Sequence, residues 1–203
     1  MCGSGSFVLR TCFGDLVGGV PAVLQFCSWL GELPVKNIVV IGGNHERLLE
    51  KMGDAAVRNI LKWRSGAIYL NDDIVQLADL VLYDSPWSPP RKTGNRVFQQ
   101  RGGSDATLDA SKEVSLVLRC KHPCVDVLLT HANCIPWETV VQTKGTAFWA
   151  HGHWHDGHGQ TKIHKNGCLS VNVASNDRLY RPRNPPTVFD VPVDGDKNRM
   201  TTR

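Results

Sequence analysis

Apolar and polar residues alternate along this chain in two rhythms, and each change of rhythm predicts a change of element. Residues 21–30 carry Val23, Phe26, Cys27 and Leu30 on one helical stripe. Pro21 suits a first helical turn and Gly31 a helix end. Residues 37–41 are a short, β-branched apolar run, the signature of a strand buried on both faces. Helical spacing returns over 45–63, broken near Gly53, and residues 67–70 and 74–83 read as two strands. The stretch 85–105 is dense in Pro, Gly, Ser and Asn, which predicts a long surface loop, followed by a helix over 108–119.

Two more apolar strands are expected at 125–130 and 146–150, each ending in histidine. A hairpin turning at Lys165-Asn166-Gly167 and a last strand within "PPTVFDVPV" complete the series. Helices alternate with buried strands early and hairpins dominate late. The expected class is α/β: two facing sheets of mixed strands with helices outside, formed by one domain over 1–203.

Polar side chains gather where the strands stop. Gly14-Asp15, Gly43-Asn44-His45-Glu46, Thr130-His131 and Gly152-His153-Trp154-His155 each follow an apolar run. In open α/β sheets ligands bind beyond the carboxyl ends of the strands. Glycine before a cluster removes bulk where the backbone turns beside an ion or phosphate. A carboxylate, an amide oxygen and imidazoles form a mixed oxygen and nitrogen set, suited to divalent Mn, Fe or Zn. One such cluster is an ordinary turn; four in this order are not.

Composition narrows the classes. The 203 residues are 41% hydrophobic and 21% charged, as in an ordinary soluble globular protein. The net charge of +4 is scattered, so no specific nucleic-acid binding is expected. No apolar run is long enough to span a membrane, and residues 7–30 are interrupted by Arg10, Asp15 and Pro21, so a cytoplasmic location is expected. Seven cysteines lack framework spacing and are read as reduced thiols. Cys120-x-His122-x-Cys124 has no second half that would complete a zinc site.

The series "GD … GNHE … TH … GHxH" resembles the calcineurin-like metallophosphoesterases. The stretches "FCSWLGELPVKNIVVIGGNHE", "VDVLLTHANC", "GHWHDGHG" and "NPPTVFDVP" look like the branch of small metallophosphoesterase-domain-containing phosphodiesterases, over residues 9–193. The resemblance implies a hydrolase of phosphate esters, above all phosphodiesters, acting on a small and nucleotide-like substrate. It implies two divalent ions about 3.5–4 Å apart that hold a hydroxide and clamp the phosphoryl oxygens. Carried over by position, Asp15 would bridge the ions. Asn44, His131 and His153 would complete one shell, and His155 would bind the other ion. His45 would stand over the phosphate, stabilise charge and assist the leaving oxygen.

The match has one gap. The resemblance calls for an Asp-x-His on the first strand, and residues 1–14 hold no Asp, Glu or His. One ion is expected to be well held and the other weak, with the first strand of the fold missing and a sheet edge left open. Two explanations stand: the natural protein is longer and complete, or this is a degenerate, largely inactive member that binds one metal and a nucleotide. The intact downstream motifs favour the first. Around the site, Trp154 is a stacking surface for a nucleobase, and Asp156 and Asn172 are candidates to orient a histidine, each equally readable as packing or a turn. His151 lies on the same strand end as the Gly-His pair but where the resemblance calls for an apolar residue. His122 and His164 are read as surface residues.

Overall fold

A computed structural model describes residues 7–10, 19–77, 79–88, 97–99, 117–118, 122–133, 135–190 and 201–202. Among them, β1 (Phe7–Arg10), β2 (Asn37–Ile41) and β3 (Ile68–Leu70) form a parallel three-stranded sheet in that order. A second sheet has six strands: β4 (Ile74–Leu77), β5 (Leu80–Ser85), β6 (Val127–Thr130), β7 (Phe148–His151), β8 (Thr161–Ile163) and β9 (Leu169–Asn172). Their spatial order is β4-β5-β6-β7-β9-β8, with β5, β6, β7 and β9 parallel and the two outermost strands antiparallel. A small antiparallel pair, β10 (Phe189–Asp190) and β11 (Thr201–Thr202), forms a separate two-stranded sheet whose Phe189 packs on Phe148.

Four helices have described bounds: α1 (Val20–Gly31), α2 (Arg47–Met52), α3 (Asp54–Ser65) and α4 (Ile135–Thr143). The layering follows from which strand faces are apolar. Val39, Ile41 and Leu70 of the first sheet meet Leu82, Leu129, Ala150 and Val171 of the second, so the sheets share one core. The first sheet's other face, with Ile38, Val40 and Tyr69, is covered by Val23, Cys27 and Leu30 of α1 and by Val57 and Leu61 of α3. Behind the second sheet, Trp137, Val140 and Val141 of α4 pack on Leu128 and Trp149. Each fully buried Leu, Ile or Val contributes roughly 1.5–3 kcal/mol, so this double burial explains the unbroken apolar strands.

The architecture is the expected two-sheet sandwich with outer helices, and β2 matches the expected strand residue for residue. The helical stretch after His45 does break at Gly53, whose φ of 76° suits glycine. The hairpin turns at Lys165-Asn166-Gly167, with Gly167 at φ 84°. β1 pairs with β2 alone among the described strands and so lies at a sheet edge.

Other expectations are corrected. Residues 74–83 are not one strand: the chain reverses at Asp79, and β4 pairs antiparallel with β5. Only Asp79 interrupts the apolar residues at the turn, and no Gly, Pro or Asn marks it. α4 was not foreseen, although Pro136 suits a first helical turn. His164 is buried, its Nε2 3.0 Å from the Ser170 hydroxyl, and His122 is half-buried. The expected helix over 108–119 lies outside the described residues apart from helical Val117 and Leu118, and most of the loop 85–105 does too. Among the described cysteines, Cys27 and Cys124 are free thiols. No described helix is long and apolar enough to cross a membrane.

Candidate metal centre

Three parallel strand ends deliver the site. β2 stops at Ile41, and Gly42-Gly43 carry the chain into a tight turn, where the Glu46 amide donates to the Gly43 carbonyl at 3.2 Å. That turn presents Asn44, which is buried, and His45, which is half-buried. β6 stops at Thr130, and His131 follows with 1% of its surface exposed. β7 stops at His151; Gly152 and His153 then swing the chain across the sheet end, tied back by the Gly152 amide to the His131 carbonyl at 3.0 Å. His153 takes φ 64°, a left-handed conformation that costs a non-glycine residue on the order of 1–3 kcal/mol. Strain of this kind persists only where the surroundings hold it, and it aims the imidazole inward.

The side chains converge. The Asn44 Oδ1 lies 2.7 Å from the His131 Nε2 and 3.3 Å from the His153 Nδ1, and the two ring nitrogens are 3.0 Å apart. Three donor atoms from three strand ends therefore form one small triangle. Gly43 makes room for it, because a Cβ there would lie 2.6 Å from the His131 Nδ1. The expected role of a glycine before this cluster, removing bulk, is thus met at Gly43.

His155 stands beside the triangle in a short 3₁₀ turn (His155–Gly157), and its Nδ1 bonds the Asp177 carbonyl at 2.8 Å. Asn172 is buried and supports that turn: its amide donates to the Trp154 carbonyl at 2.8 Å while its Oδ1 accepts the Ala174 amide. Asp156 contacts Arg178 instead of a histidine. Trp154 is 56% exposed at the rim. A cavity of about 190 Å³ opens over these residues, lined by Asn44, His45, His131, His153 and His155 and bordered by Trp154, Asp156, Arg178 and Tyr180. Asp15, the expected bridging carboxylate, lies outside the described residues.

Do these residues fit a divalent ion? Nitrogen and oxygen ligands sit about 2.0–2.2 Å from such an ion, so neighbouring ligands of one shell are roughly 3 Å apart. The triangle has that size, and its donors are those that intermediate metals select. Among the described residues no three His, Cys, Asp or Glu side chains gather as a metal-holding group; the third donor here is the Asn44 amide oxygen. His151 is not among the donors. It is buried in β7, its Nδ1 lacks a hydrogen-bond partner, and burial holds its pKa down to about 4.

No protein-family model matches the chain. A UPF0046 protein of Caenorhabditis elegans is 26% identical over an alignment of 216 positions, gaps included, that covers 90% of this chain and 72% of that protein. Metallophosphoesterase domain-containing protein 1 of Homo sapiens is 25% identical over an alignment of 213 positions, gaps included, that covers 86% of this chain and 61% of its own length. The chain is thus similar, distantly, to a metallophosphoesterase-domain protein. It spans about six-tenths of the human relative. A solved crystal structure superposes with a TM-score of 0.54 over 76% of this chain and 63% of that one, at 14% identity, and shares the α/β fold.

Sequence reading missed the turn at 177–181. Tyr180 packs edge-on against both His45 and His155, with centroids 5.4 and 5.0 Å apart. Asp177 accepts the amides of Leu179 at 2.8 Å and Arg181 at 3.0 Å. The signal for it was present: an Asn-Asp pair after a strand is a turn former.

Proposed function

We propose that this chain is a divalent-metal-dependent phosphoesterase acting on small phosphodiesters, nucleotide-like ones among them. The observation that carries this is the triangle of Asn44 Oδ1, His131 Nε2 and His153 Nδ1, with sides of 2.7–3.3 Å, at the carboxyl ends of parallel strands. The distant metallophosphoesterase relatives support it. Asn44, His131 and His153 would hold one ion, Mn, Fe or Zn by their chemistry. Asp15 and His155 would contribute to a second, weaker one. A bound divalent ion polarises a phosphoryl oxygen and makes water acidic enough to attack at neutral pH.

The chain's own residues supply the rest. His45 borders the cavity and is backed by the Tyr180 ring, a location suited to hydrogen-bonding a phosphoryl oxygen and protonating the leaving oxygen from its imidazolium form. Trp154 offers an exposed indole face for an aromatic ester group. The test is turnover of bis(4-nitrophenyl) phosphate by the Mn²⁺-loaded chain beside Asn44→Ala and His45→Ala. Turnover lost in both variants supports the reading; turnover by none of the three proteins defeats it for this chain.

A second reading is a one-ion binding protein without turnover. It is favoured by the location of His155 outside the triangle, with its Nδ1 on the Asp177 carbonyl. One metal bound per chain without hydrolysis would select it.

A further inference from the structure

His155 reaches the site from a turn of three residues, a weak support for a ring that must face one way. Its Nδ1 meets the Asp177 carbonyl oxygen at 2.8 Å. A carbonyl only accepts, so Nδ1 carries the hydrogen, and in the neutral ring Nε2 keeps its lone pair. Nε2 is then the ligand atom.

The carbonyl is itself fixed by its own side chain. The Asp177 carboxylate accepts the Leu179 amide at 2.8 Å and the Arg181 amide at 3.0 Å on Oδ1, and the Arg181 guanidinium at 2.7 and 2.8 Å on Oδ2. The Asp177 amide donates to the Arg181 carbonyl at 2.9 Å, and the Tyr180 amide donates to the Asp177 carbonyl at 2.9 Å. Tyr180 has φ 59°, so this loop is not one the backbone adopts unaided. The base of the turn is clamped by the Asn176–Pro182 bridge and by Asn184, whose side chain donates to the carbonyls of Ala174 and Asn176.

We infer that Asp177 is a positioning residue: by capping the turn 177–181 it holds His155 in the Nδ1–H tautomer, with Nε2 presented to the metal centre. The assignment of His155 as a ligand rests on the function proposed above; the tautomer does not, and is measured without metal or substrate. An outer partner that fixes a ligand histidine is typically worth 10–100-fold in metal affinity.

The experiment is ¹⁵N–¹H correlation of the imidazole rings in the metal-free full chain at pH 8, with His155→Gln assigning the signal. Wild type is expected in the Nδ1–H form. Asp177→Ala is expected to shift His155 toward the Nε2–H form, and Asp177→Asn, which keeps the oxygen that caps the two amides, to restore the wild-type signature. Should Asp177→Ala not fold, Asp177→Ser, with one shorter acceptor, is expected to shift the ring part of the way. An Nε2–H ring in wild type, or an unchanged signature in the folded Ala or Ser variant, overturns the inference. If the tautomer follows Asp177 while Mn²⁺ affinity does not fall about tenfold, His155 is positioned but is no ligand, and the metal-site reading fails at His155 alone.

Discussion

The Nε2 of His131 and the Nδ1 of His153 face one another at 3.0 Å although 22 residues separate them, and the Asn44 Oδ1 closes the figure. Two imidazole nitrogens at this distance share either a proton or an ion. If an ion is the natural occupant, removing any corner costs affinity at once. Asn44→Ala, His131→Ala and His153→Ala are each expected to weaken Mn²⁺ or Zn²⁺ binding by at least about tenfold in calorimetric titration. Retention of wild-type affinity in His131→Ala would show that the triangle is a hydrogen-bonded cluster only.

Gly43 tests the same triangle from outside. A methyl group at this position would lie 2.6 Å from the His131 Nδ1 and 2.7 Å from Cε1. The ring has little room to retreat, because its far edge is set against Asn44 and His153. Gly43→Ala is therefore expected to lower metal affinity by about 10–100-fold, while the same change at exposed Gly53 leaves metal affinity unaltered. Equal affinities for the two variants would contradict the packing argument.

How much of this was legible beforehand depends on the range of the signal. The apolar strands and their polar ends are local, and β2, the hairpin turn and the convergence of Asn44, His131 and His153 follow from them. The split at Asp79 was hidden because a single polar residue separates Leu77 and Ala78 from the apolar Leu80–Tyr83, and no Gly, Pro or Asn marks the turn. His164 looked like a surface residue because its burial depends on Trp149 and Ser170, partners in the strands around it. The pairing of Asp156 with Arg178 and of His155 with Asp177 spans 22 residues and belongs to tertiary structure. Asp177 precedes a capped turn that periodicity cannot see.

Acid sensitivity has a nameable source in His151. Its pKa falls from the ordinary 6.5 to about 4 on folding, because burial disfavours the cation. Below the unfolded value the unfolded chain binds the proton more readily, so stability is lost as pH falls from about 6.5 to 4. The loss approaches about 3 kcal/mol at the lower end, from about 1.4 kcal/mol per pH unit. His151→Leu is expected to remove most of that slope in urea melts between pH 7 and 4.5. An unchanged slope would assign acid unfolding to other groups.

Asp84 works in the opposite direction. It is wholly buried on β5; one oxygen accepts the Asp73 amide at 3.1 Å and the other has no partner. Burial, aided by the nearby charges of Asp72 and Asp73, raises its pKa well above the usual carboxylate range. The native state therefore holds this proton more tightly than the unfolded chain, and stability falls as pH rises from about 4 toward the raised value. Asp84→Asn keeps the oxygen that accepts from Asp73 and removes the ionisation. It is expected to raise the melting temperature by several degrees at pH 8 and by progressively less toward pH 4, as measured by circular dichroism. A gain of the same size at both pH values would mean that Asp84 is destabilising by its shape or polarity and that its charge plays no part.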